Sequence, residues 1–275
     1  MSTKPLDLVQ TPLKKIPFRL DKTIGLFLGL FLIWEITATF YSASNFPGIL
    51  DIFAGMVRMV DGSEQLVFQE HIGATLFRII TAGVIALGIG IPIGIQMGSS
   101  GSFEEVFLFY LLVILTVPSV MWAFLAVTWF GLTTHLVPLL ATVLALLPYV
   151  IINIWKGTEA IDSKLIEMGT VFGAETFSIW RNIYLPHLMP FIFSTSRMVL
   201  SLSWRIVIVV EIFGTQSGIG FAINNYFITQ QNNMLLAWAL PVFLLIFISE
   251  RILQRVETRK FAWRDQSNGS PVAGV

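Results

Sequence analysis

TEAIDSKLIEMGTVFGAETFSIWRNIYLP, from Thr158 to Pro186, is a polar, charge-bearing island in an otherwise mostly apolar chain. Ile161, Leu165, Met168 and Phe172 recur at spacings of three and four, which paints one stripe along a short helix. Lys164, Glu167 and Thr170 fall off that stripe. Asp162 is placed to cap the helix N-terminus. Gly173 offers the left-handed position that ends a helix with little strain. Phe177, Trp180 and Tyr184 then share helical spacing, and Pro186 is expected to end that second run. Two amphipathic helices this short need packing against something to be stable.

Outside the island the chain reads as membrane-embedded. Of 275 residues 55% are hydrophobic and 12% charged, with 23 Phe and 8 Trp. Soluble domains carry roughly a quarter charged residues. Mean hydropathy is +0.77, and several apolar runs approach the roughly twenty residues needed to span a bilayer. The formal net charge is zero, which gives no sign of a nucleic-acid partner. Without cysteines there is no disulfide or thiol chemistry. His71, His135 and His187 are far apart and in no ligand motif, so no metal site is expected.

The expected fold is all-α and polytopic, with about six transmembrane helices: roughly 24–41, 72–97, 106–130, 137–155, 188–213 and 234–253. A cytoplasmic N-terminal segment, 1–23, precedes a first helix and external loop, 24–71. A core of 72–264 contains the island, and 265–275 reads as a disordered tail. The first apolar run is long enough to be kept as a span, with no small-residue cleavage site after it. Lysine and arginine place both termini and the island in the cytoplasm. The segments 42–71 and 214–233, poor or lacking in such residues, go outside. Gly88, Gly90 and Gly94 are small residues that let a neighbouring helix approach; Pro118 is expected to kink the third span, and the fourth contains Pro148.

The island also resembles the EAA loop of ABC-importer permeases, on Glu167, Gly169, Gly173, Ile183, Leu185 and Pro186, with Met168 departing from the usual alanine. Three further stretches are similar to the nitrate/sulfonate/taurine/bicarbonate branch of those permeases: LFRIITAGVIALGIGIPIG (76–94), TVPSVMWAFLAVTWFG (116–131) and WRIVIVVEIFGTQSGIG (204–220). The resemblance implies a type I importer (MetI-like) permease core in the cell inner membrane. It also implies that the island is the coupling helix seated on a partner ATPase. A second permease subunit, forming a homodimer, and an external substrate-binding protein are implied as well. No G-x-x-x-x-G-K-[ST] phosphate loop occurs, so ATP is expected on the partner and no cofactor on this chain.

Five charges fall in or near the expected hydrocarbon: Glu35, Arg78, Arg197, Arg205 and Glu211. Each should face partners or water rather than lipid. Arg78, near a helix end, is read as snorkelling. Arg205 and Glu211 are six apart and do not share a face. With Trp122 and Trp204 they form a candidate translocation path; the alternative for each is a structural role. A guanidinium suits an oxyanion through forked hydrogen bonds. The resemblance implies that the transported solute is small and anionic. The competing function is a secondary transporter acting without an ATPase, which Glu35 and Glu211 keep open. A membrane-embedded enzyme would need clustered acid–base residues on facing helices, and none is legible.

Overall fold

A computed structural model describes residues 20–62 and 66–260, with side chains from 24 to 255 within those ranges. Among them are eleven α-helices and no strand. They are α1 (Leu20–Ala38), α2 (Ile49–Val60), α3 (Phe68–Ser99), α4 (Gly101–Thr116), α5 (Ser119–Phe130), α6 (Leu136–Glu159), α7 (Ser163–Val171), α8 (Thr176–Ile179), α9 (Leu185–Gly214), α10 (Ile219–Ile228) and α11 (Asn232–Lys260). The expected N-terminal segment before residue 20 and the expected tail lie outside the described residues.

The core is α3, α6 and α9, with α5 packed on it. Small residues bring α3 and α6 together. A Cβ on Gly90 would stand 2.6 Å from Val150 Cγ1, and one on Gly94 2.8 Å from the Ile151 carbonyl oxygen and from Ile154 Cβ. On Gly98 it would overlap Thr158. The stripe is therefore Gly90, Gly94 and Gly98, four residues apart on one face. Gly88 has nothing within 4 Å, so it is not part of the approach that the sequence suggested.

Of the six expected spans, α3, α6 and α11 are single helices long and apolar enough to cross a membrane. Two bent pairs, α4 with α5 and α9 with α10, bring the number to five; α1 is apolar but shorter. Pro118 does more than kink the third span: the chain turns by 91° between α4 and α5. Proline pushes the preceding residue out of the helical region, and Val117 is extended at φ −80°, ψ 118°. α4 begins at Gly101, so the expected connection 98–105 shrinks to Ser100.

Two short helices occupy segments read as loops. α2 lies within 42–71 and packs on α11, with Gly55 close to Ala237. Its N-terminus is held by carboxylates: Glu35 Oε2 accepts from Ile49 N–H (2.9 Å) and Asp51 Oδ2 from Gly48 N–H (3.1 Å). α10 lies within 214–233, and its Ile219, Ala222 and Tyr226 join Met59, Met234 and Trp238 in a second apolar cluster.

Candidate functional site

The island forms a helical hairpin. Asp162 caps α7, its carboxylate accepting from Lys164 N–H at 3.0 Å. At the other end Gly173 has φ +72°. Its N–H donates to the Thr170 carbonyl (3.0 Å), while Ala174 N–H reaches the Gly169 carbonyl (2.9 Å). These are the two bonds of a Schellman cap. The chain returns through α8, and a π turn at Trp180–Tyr184 runs straight into α9.

Pro186 therefore does not end the second helix; it sits in the first turn of α9. Proline lacks an N–H and crowds the carbonyl four residues back. The wide turn just before it, closed by Leu185 N–H on the Trp180 carbonyl, makes room for the ring.

The inward side of α7 is not the expected stripe. Gly169 faces Ile179 and Ile183, and a Cβ there would already stand 3.4 Å from Ile179. Leu165 and Met168 are about half exposed, and Phe172 is 82% exposed. Only Ile161 of that stripe is buried. The surrounding surface is polar, with Lys156 paired to Glu159 (2.8 Å), and with Lys164, Glu167 and Arg181 exposed. Lipid does not account for apolar side chains in such company. Contiguous exposed apolar residues rimmed by polar ones mark a protein contact.

A second feature lies at the α4–α5 break. A cleft of about 280 Å³ is walled by Pro118, Trp122, Pro148, Tyr149, Leu202 and Arg205. Of the four path candidates it gathers two, Trp122 and Arg205. Trp204 is 2% exposed, packs with Ile79 and Val207, and donates its indole N–H to Ser249 Oγ (3.2 Å). Glu211 is fully buried elsewhere.

Glu211 belongs to a polar knot under the α9–α10 turn. Its Oε1 pairs with Arg78 Nη1 at 2.5 Å, and its Oε2 accepts from Gly220 N–H (2.9 Å). Arg78 also donates to the Ser217 carbonyl (2.8 Å), Ser217 Oγ (2.6 Å) and the Thr134 carbonyl. Thr75 Oγ1 lies 2.9 Å from both Glu211 oxygens and accepts from Ile219 N–H. His71 Nδ1 accepts from Gly218 N–H (2.9 Å). Arg78 is thus wholly buried rather than snorkelling, because its partners lie inside the bundle. Gly218 has φ +104°, and any Cβ would overlap the Glu211 carboxyl.

Residues 86–261 match the family described as the binding-protein-dependent transport system inner membrane component. The chain belongs to this family. This permease is 26% identical over 199 residues to an SsuC permease protein of Bacillus subtilis strain 168, named for aliphatic sulfonates transport, covering 72% of each chain. It is 23% identical over 248 residues to the taurine transport system permease protein TauC of Escherichia coli K12, covering 89% of this chain and 90% of that one. Among solved structures it is similar to an inward-facing form of the MetNI methionine ABC transporter. The TM-score there is 0.56 at 16% identity, over 74% of this chain and 97% of the other. These relatives put the permease in the nitrate/sulfonate/taurine branch and its fold among MetI-like importer subunits. A secondary transporter is not favoured.

Sequence reasoning on the permease missed Thr75, His71 and Ser217 as partners of the buried charges. Nothing local marks them: their bonds to Glu211, Gly218 and Arg78 span 136, 147 and 139 residues. Glu35 did carry a signal, a lone acid in an apolar helix, and its partner proves to be a helix N-terminus.

Proposed function

We propose that this permease lines the path of a small anionic solute and is driven by a separate ATPase that grips the 158–186 hairpin. A second copy completes the pore, and an external binding protein delivers the solute at the end opposite the hairpin. Both termini and the hairpin lie on the cytoplasmic side. ATP binds and is hydrolysed on the partner; this chain carries no cofactor. Closure of the ATPase would pull on α7, and the continuous helix from Thr176 to Gly214 would carry that movement to the cleft.

The observation that carries this reading is the exposed apolar face of α7, in particular Phe172 within a polar rim. In the hairpin, Glu167 is free to meet a polar group on the ATPase, and Gly169 and Ile183 hold the two arms together. Gly173 makes the turn, while Leu185 and Pro186 join the hairpin to α9.

The test uses the full chain in nanodiscs with its separately produced ATPase. Phe172→Asp should cut co-purified ATPase at least tenfold and leave the permease monodisperse. Because the chain has no cysteine, Val171→Cys can also be cross-linked site-specifically to the ATPase. Undiminished ATPase capture by Phe172→Asp, with no cross-link from Val171→Cys, would overturn the assignment.

A further inference from the structure

We infer that the cleft at the α4–α5 break is a solute subsite for a small organic anion, with the anionic head on Arg205 and an apolar body against Trp122, Pro118 and Leu202. This rests on the permease reading and assigns it a specific place and ligand chemistry.

Depth is the first consideration. Arg205 lies nine residues before the end of α9, roughly 14 Å along its axis. Pro148 lies at the middle of α6, and Ser119 opens α5 at the break. The cleft is thus inside the span, not at its rim.

Charge is the second. Among the described residues Arg205 has no ion pair or hydrogen bond, whereas Arg78, on the same bundle, is enclosed by acceptors. A guanidinium at membrane depth is costly unless it meets water or an anion. Glu211, the nearest acid on its own helix, is committed to Arg78. Arg205 is therefore left facing a cavity with its forked donors available.

The walls add to this. The right-angle break leaves the first N–H of α5, at Ser119, without a helical partner at the cleft, and Tyr149 of α6 lines the same cleft. Residues of α5, α6 and α9 thus share the lining. The walls point to the class of anion. The cleft, about 280 Å³, has room for a body larger than a bare oxyanion. Trp122, Pro118, Ala145 and Leu202 provide apolar wall for a short carbon body.

The test is calorimetric titration of the nucleotide-free permease–ATPase assembly in nanodiscs. The probes are the n-alkanoates from acetate to hexanoate, butanesulfonate, sodium nitrate and 1-pentanol. Affinity should rise about fourfold per methylene until the cleft is full, and pentanoate and butanesulfonate should both exceed nitrate. Arg205→Gln should weaken pentanoate at least tenfold and leave 1-pentanol unchanged; Arg205→Lys should lose less. Leu202→Trp, which fills the cleft, should weaken pentanoate with the charge intact. Equal affinity of wild type and Arg205→Gln for pentanoate would overturn the subsite. So would nitrate binding as tightly as pentanoate, or indifference to chain length. ATPase capture by α7 is read separately, so loss of anion binding with capture intact sinks only the subsite.

Discussion

Arg78 and Glu211, 133 residues apart, are both fully buried and pair at 2.5 Å beneath the turn that joins α9 to α10. The pair is the centre of a network that ties α3, through His71 and Thr75, to the backbone of Gly218 and Ile219, while Glu211 itself takes the Gly220 N–H. A buried pair need not stabilise a fold beyond an apolar substitute, but removing one partner strands the other charge.

Arg78→Met should therefore destabilise by about 3–5 kcal/mol, since it leaves the fully buried Glu211 carboxylate without its counter-charge. The double variant Arg78→Met/Glu211→Met should recover at least half of that loss. Thermal unfolding of the purified protein in detergent reads both. Additive effects would show that the two side chains act independently.

The Gly90–Gly94–Gly98 stripe gives an internal control. Gly94→Val places a Cβ against the Ile151 backbone oxygen, which cannot move without α6. The expected cost is about 1–3 kcal/mol or more. Gly88→Val, six residues earlier in open space, should stay within about 0.5 kcal/mol. If both variants unfold alike, the helix approach is not what the glycines provide.

Gly173 separates strain from contact. A side chain there meets nothing within 4 Å, so the whole penalty of Gly173→Val is its left-handed backbone, about 1–2 kcal/mol. In a reconstituted transporter this variant should hydrolyse ATP with reduced uptake per ATP, whereas Gly173→Asn, which tolerates that conformation, should stay near wild type. Equal coupling in all three proteins would show that the turn has no part in transmission.

What could be read in advance follows the range of the forces. The Asp162 cap and the Gly173 turn were legible because their partners lie within five residues. The Arg78–Glu211 pair was not, since both ends look like isolated liabilities until the fold joins them. Glycine spacing suggested a close approach, but Gly88 and Gly98 could be sorted only once α6 was in place. The stripe Leu165–Met168–Phe172 was legible as apolar and in need of a surface to pack against, but not which side of the helix the chain itself would cover. Its exposure has a different cause: the helix rests on Gly169 and turns its larger side chains outward. α10 was hidden because a short, uncharged segment carries neither the length of a span nor the polarity of a loop.

Glu35 bears on the remaining functional alternative. An acid in an apolar helix is the expected signature of an ion-coupled carrier. Here its Oε2 instead accepts from Ile49 N–H and fixes the start of α2 against α1. Glu35→Gln keeps an acceptor oxygen in place, so uptake by the reconstituted importer should stay within about twofold of wild type and remain ATP-dependent. Glu35→Leu removes the acceptor and should cost about 0.5–1.5 kcal/mol of stability, read as a lower unfolding temperature, with the uptake of the surviving protein still ATP-driven. Gradient-driven uptake that Glu35→Gln abolishes in well-folded protein would revive the carrier reading, because only a transported proton or ion requires the carboxylate itself.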